Sequence, residues 1–240
     1  MSLLIHGARK LDAHGEVDSF WMLCEGDSIV ATGHGSPPVV ERVETEIVDA
    51  SGAWLVPGFV DLHGHGGSGH SFDDGPAAIA AALAVHRAHG TTRSVISLVA
   101  NPIDELCESL AGIADLAEVD PLVLGSHLEG PFLAPARRGA HNLDHLLEPA
   151  PYEVERLIGA ARGTLRQITL APELPGAFEA IDVLVEAGVL VAVGHTEADF
   201  EMTRAAFDRG ARLVTHAFNA MPGITTVSRG RWSRPSKTSG

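Results

Sequence analysis

The chain has 240 residues, 45% of them hydrophobic and only 5% aromatic, with a formal net charge of -14. Length and apolar content support a sizeable core, while the negative charge and the lack of a basic, aromatic-interleaved patch before the C-terminus exclude nucleic acid as a partner. Cys24 and Cys107 are too few for a disulfide framework and have no zinc-knuckle spacing, which points to a reducing cytoplasm; neither a signal peptide nor a run of ~20 apolar residues is present, so no membrane is expected.

Residues 1–56 read as short β runs broken by Gly, Asp and Pro: LLIHGARKLD, FWMLCEGDSIVATG and EIVDASGAWLVPG, a small β-sheet domain. Near Val56 the rhythm changes. From 57 to 223, apolar strand-like runs alternate with Ala-rich helical patterns, as in repeated βα units on a parallel sheet. Six strand candidates follow one another: GFVDLH, TTRSVISLV, PLVLGSHLEG, QITLAPEL, VLVAVGHT and RLVTHAFNA, with helical segments such as AAIAAALAVHRAHG and PGAFEAIDVLVEAG between them. The predicted fold class is α/β, an incomplete (β/α)8-type barrel of about six units, since a complete barrel needs about 250 residues.

Each candidate strand ends in polar residues, where such barrels keep their chemistry. Of 13 histidines, His63, His65, His127, His195 and His216 fall at or near strand ends. The period-2 geometry of a strand turns His63 and His65 to one face, so that two imidazoles can converge on one ion. Glu129, just past the apolar run PLVLG, needs a cation or hydrogen bonds if it is buried; alone, it equally fits a helix cap or a partner of Arg137 or Arg138. His195 and His216 each follow an apolar strand, and any one of them also fits a core histidine bonded to a carbonyl. Together, His and Glu ligands at strand ends match a catalytic zinc-like site with a position left for water. His6, His14, His34, His70, His86, His89 and His145 read as surface or helix residues, and Asp73 and Asp74 as an ordinary turn or cap. Ser126 lies in no nucleophile elbow, and GHGGSGH lacks the Lys-Ser/Thr of a phosphate loop.

The segments PGFVDLHGHGG, HLEGPFLAPARRGAHN, GHTEAD and THAFNAMPG, in this order, resemble the successive motifs of N-acetylglucosamine-6-phosphate deacetylases, from Met1 to about Gly223. The resemblance implies a small urease-like β domain joined to a metallo-dependent hydrolase barrel, and release of acetate from N-acetylglucosamine 6-phosphate. It implies Glu129, His195 and His216 as principal metal ligands and His63 and His65 as holders of a second ion, with one or two divalent ions, zinc foremost. It also implies contact of Ala140, His141, Asn219 and Ala220 with the sugar and its N-acetyl group, and a homodimer. The family's general base is an Asp after the eighth strand, beyond the six strands read here.

After MPG the sequence becomes ITTVSRGRWSRPSKTSG, with Arg229, Arg231, Arg234 and Lys237 and no acidic residue. A basic tail is one reading. The other is a shift of reading frame near position 223, because G/C-ending codons over 224–239 can encode, in an overlapping frame, a segment containing HHREPGP, which resembles the family's phosphate-binding His-His-Arg stretch. As written, an open six-strand barrel exposes edges, so poor folding and at most trace activity are expected. Two alternatives remain: a metal-binding relic without catalysis, and another deacylase of the superfamily. Members of the latter kind resemble N-acyl-amino-acid deacylases or dihydroorotases and usually use a bridging Lys, which no strand end here supplies.

Overall fold

A computed structural model describes residues 1–39 and 45–223; the tail reading over 224–240 lies outside the described residues. The chain divides into two compact units, Met1–Gly58 and a second that starts at Phe59.

In the first unit, β1 (Ser2–Asp12) is the centre of a five-stranded sheet: it pairs antiparallel with β2 (Gly15–Glu25) and parallel with β4 (Thr45–Asp49) and β5 (Trp54–Leu55), while β3 (Ser28–His34) extends the sheet beyond β2. Its buried residues, Leu4 and Ala8, belong to this central strand. The run FWMLCEGDSIVATG, read as one segment, is two strands, because Gly26 adopts φ 62° and turns the chain so that Glu25 faces Ser28. Likewise EIVDASGAWLVPG breaks into β4 and β5 at a turn closed by the Ala53 N–H on the Ala50 carbonyl at 2.9 Å.

The second unit alternates strand and helix: β6 (Phe59–Gly64), a small hairpin of β7 (Gly66–Gly67) and β8 (His70–Ser71), α1 (Pro76–Ala88), β9 (Thr91–Leu98), α2 (Ile103–Val119), β10 (Val123–Glu129), α3 (Pro151–Ala160), β11 (Leu165–Leu170), α4 (Ala177–Glu186), β12 (Leu190–Val193), α5 (Phe200–Asp208) and β13 (Leu213–Val214). The larger sheet is parallel throughout, in the order β13-β12-β11-β10-β9-β6. Spatial order equal to chain order, with right-handed crossovers, sends every helix to the same face. The result is an incomplete (β/α) barrel, a curled sheet with helices outside.

Period-2 alternation then sorts the strands. Ile96, Leu98, Leu128, Ile168, Leu170, Val191 and Val193 turn to the helices and form one core with Leu83, Leu106, Leu110, Ile113, Leu157, Ile181 and Leu184. Residues of the opposite parity, Ser97, His127, Glu129 and Thr169, are also buried, but on the inner face: His127 hydrogen-bonds to Ser97 and Thr169, and Glu129 meets imidazoles. No helix among the described residues is long and apolar enough to cross a membrane.

The predicted strands exist, but the last two are shorter than their apolar runs. β12 stops two residues before His195 and β13 two before His216, because both histidines take left-handed backbone angles, φ 47° and 51°. A β-ladder passes such a residue only at an irregularity, as at Ser19 in β2, and the strain of the two histidines, of the order of 1–3 kcal/mol each, is typical of functional positions.

Candidate metal centre

The floor of the inner face is a hydrogen-bonded ladder. Ser97 Oγ lies 2.9 Å from His127 Nδ1, His127 Nε2 lies 2.9 Å from Thr169 Oγ1, and Thr169 Oγ1 lies 2.8 Å from Thr215 Oγ1. Gly194 makes the last contact possible: a Cβ there would lie 2.7 Å from Thr215 Cβ and 2.9 Å from Thr169 Cγ2. His127 is therefore a fully paired floor residue. Burial, together with the nearby His63, lowers its pKa to about 3, so it is neutral.

Above this floor stands one buried carboxylate, Glu129, at the end of β10. Five imidazoles turn their Nε2 atoms to it. His216 and His195 lie 2.6 and 3.1 Å from Oε1, and His63 lies 3.6 Å from the same oxygen. His65 and His141 lie 2.9 and 3.5 Å from Oε2. His63 Nε2 is also 3.1 Å from His65 Nε2, so the pair at the end of β6 does converge. Burial alone would raise the Glu129 carboxyl, yet hydrogen bonds from His141, His195, His63 and His65 outweigh it and hold the group far below the usual carboxylate range. Neither alternative partner of Glu129 is in contact with it: Arg138 donates to the His141 carbonyl at 2.8 Å, and Arg137 approaches Glu197 at 3.4 Å.

The buried loop after β10 fixes His195. Ala134 N–H donates to the His195 carbonyl at 2.9 Å, and the Arg137 carbonyl accepts from His195 Nδ1 at 2.8 Å. A carbonyl only accepts, so the ring proton sits on Nδ1 and the neutral ring presents a lone pair to Glu129 Oε1. Lone pair against carboxylate is repulsive unless a cation or a proton lies between them. Burial lowers the His195 pKa, but the bonds to Glu129 and Arg137 outweigh it and raise it; at His216 burial wins and lowers it. The sets His63–Glu129–His216 and Glu129–His141–His195 each bring their donor atoms within 4.8 Å of one another. One carboxylate among imidazoles, with a backbone carbonyl orienting one of them, suits a divalent metal ion.

A cavity of about 450 Å³ opens beside this cluster, lined by His65, Glu129, Ala140 and His141 together with Val99, Ala100, Asn101, Asn142 and His145. Asn219 and Ala220 do not line it. Asn219 is exposed, and the Ala220 carbonyl accepts the Thr196 N–H at 3.1 Å. Two readings from sequence are corrected. His145 is not a surface residue: it is half-buried in this cavity and donates from Nδ1 to the Ala100 carbonyl at 3.2 Å. Asp73 is more than a turn residue, since its Oδ1 accepts from the Val99 N–H and from Asn101 Nδ2, each at 3.2 Å. His86, on α1, bonds the Gly66 carbonyl at 3.0 Å and so anchors the hairpin. Within GHTEAD only His195 faces the cluster; Thr196 bonds Glu173, and Asp199 caps α5 by accepting the Met202 N–H at 2.9 Å.

The amidohydrolase family profile matches residues 54–231, most of the chain. The chain belongs to the amidohydrolase family. That family uses divalent metal, in keeping with the His/Glu sets of this amidohydrolase. It is 32% identical over 228 residues to an N-acetylgalactosamine-6-phosphate deacetylase of Escherichia coli O157:H7, a match that covers 93% of this chain and 58% of the relative. It is 36% identical over 190 residues to the Homo sapiens N-acetylglucosamine-6-phosphate deacetylase, covering 75% of this chain and 46% of that one. Among solved structures, the N-acetyl-D-glucosamine-6-phosphate deacetylase of Mycobacterium smegmatis superposes with a TM-score of 0.87 at 41% identity, over 95% of this chain and 59% of that one. A variant of the same enzyme, solved in complex with N-acetyl-D-glucosamine-6-phosphate, matches at 40% identity. The chain thus spans about half the length of these relatives, between 46% and 59%.

Proposed function

We propose that this amidohydrolase acts on N-acetylglucosamine 6-phosphate, hydrolysing its acetamide to glucosamine 6-phosphate and acetate in the cytoplasm, with zinc as the metal and a homodimer as the full-length form. The observation that carries the reading is the single buried carboxylate Glu129 faced by five imidazole Nε2 atoms. Glu129, His195 and His216 would hold one ion, and His63 with His65 a second. When bound, the metal supplies Lewis acidity toward an amide carbonyl and lowers the pKa of water from 15.7 toward ~7. The chain's own residues do the rest. The neutral His127 floor and its ladder support the ring of His63, 4.7 Å away between centroids. The Arg137 carbonyl keeps the His195 proton away from the cluster. Ala140, His141 and Asn142 form the cavity wall against which an acetamide and its sugar would lie.

The general base that the resemblance implies, after an eighth strand, has no counterpart in the six-stranded sheet of the described residues. The second reading is a metal-binding chain without turnover. Metal analysis and acetate release separate the two. We expect the 240-residue chain to retain zinc and release at most a trace of acetate, and turnover to appear when codons beyond 223 are read in the overlapping frame. Zinc retention with no acetate from either frame would establish the relic. Comparing the glucosamine and galactosamine substrates tests the choice of sugar, which the Escherichia coli relative's name leaves as the rival.

A further inference from the structure

One residue, Ala100, holds two imidazoles of the cavity in opposite ways. Its N–H donates to His141 Nδ1 at 3.2 Å, and its carbonyl accepts from His145 Nδ1 at 3.2 Å. An N–H only donates and a carbonyl only accepts. The ring proton of neutral His141 therefore sits on Nε2, and that of His145 on Nδ1; the His145 Nε2 lone pair in turn faces Asn142 Nδ2 at 3.3 Å. Ala100 lies in the loop after β9, and Asp73 grips this loop on both sides of it, through the Val99 N–H and the Asn101 side chain. The carboxylate is itself anchored, since Ser71 Oγ donates to its Oδ2 at 3.3 Å and the Phe72 N–H bonds the His65 carbonyl at 3.0 Å.

We infer that Asp73 is a positioning residue which, by clamping the segment 99–101, sets the tautomers of His141 and His145. Its consequence separates two histidines that both lie close enough to Glu129 to share an ion with it. His195 presents a lone pair and is suited to a metal. His141 presents an Nε2–H, 3.5 Å from Glu129 Oε2, and is a hydrogen-bond donor to whatever occupies the cavity rather than a ligand. Only this assignment of roles rests on the metal reading above; the tautomers themselves are read without metal or substrate.

The test is long-range proton–nitrogen NMR of the histidine rings in the ¹⁵N-labelled 240-residue chain, with metal removed by chelation. In the unaltered chain the single ring proton should be on Nε2 of His141 and on Nδ1 of His145, while His195 Nδ1, bonded to the Arg137 carbonyl, should carry a proton. Asp73→Ala should shift the His141 and His145 tautomer ratios by roughly five-fold, the change that accompanies loss of about one ordinary hydrogen bond, while His195, held by Arg137, stays as it was. Asp73→Asn keeps an oxygen for the Val99 N–H and should preserve both tautomers. Unchanged His141 and His145 in Asp73→Ala, or an equal change at His195, overturns the inference. If Asp73→Ala does not fold, Asn101→Ala decides: a newly populated second tautomer at His141 supports the clamp, and an unaltered ring refutes it. A wrong metal reading would show separately, as no zinc bound by the unaltered chain.

Discussion

The centre and the edges of the six-stranded sheet treat the same chemistry differently. On β10 and the loops beside it, the Glu129, His141 and His195 side chains are 4 to 5% exposed and have oriented partners. On the outer strands, the His63, His65 and His216 side chains are 27, 33 and 42% exposed, and His65 Nδ1 has no hydrogen-bond partner. The apolar residues follow the same division: Leu128 is fully buried on β10, whereas Val60 and Leu62 on β6 are more than half exposed. A strand with neighbours on both sides and helices behind it can bury a charged group, because neighbouring loops supply the donors and acceptors it needs. A strand with one neighbour in the described sheet brings the right side chains to the site but leaves them partly in water.

This contrast can be tested in order of expected effect. Glu129→Gln removes the one charge at the centre while keeping its volume, and zinc affinity measured by competition with a chelator should fall by more than the ~100-fold reached by changes to outer-shell partners. His63→Ala or His65→Ala, at the edge, should lower the number of ions retained without abolishing binding. Leu128→Ala should cost about 2–5 kcal/mol in denaturant unfolding, whereas Leu62→Ala should stay within about 0.5 kcal/mol. An equal loss for the two leucines would mean that β6 is as well covered as β10. Gly194→Ala, which forces a methyl between Thr169 and Thr215, should cost about 1–3 kcal/mol and lower the melting temperature; no change would show that the ladder yields easily.

Sequence reading found the elements more reliably than their limits. The alternation of apolar runs with Ala-rich helical patterns was enough to place the six parallel strands, β6 and β9 to β13, and the barrel class, because burial of one face against helices imposes that pattern; the β7–β8 hairpin was not foreseen. It did not reveal that β12 and β13 stop short, since left-handed angles such as those at His195 and His216 are uncommon even for His, which favours them more than most residues do. At the site, Glu129, His195 and His216 were visible because strand-end position is itself a signal. His145, Asp73 and Asn101 were not. Their partners lie 26 to 45 residues away along the chain, and nothing local distinguishes them from turn or surface residues.

By itself, then, the sequence determined the order of βα units, the strand-end clustering of His and Glu, and the family, since each follows from local periodicity and short motifs. Only the tertiary structure decided which nitrogen of each imidazole carries the proton and which carboxylate the rings converge on. It also decided why position 194 must lack a side chain. Those properties are set by groups on different strands and loops, which folding alone brings within hydrogen-bonding distance.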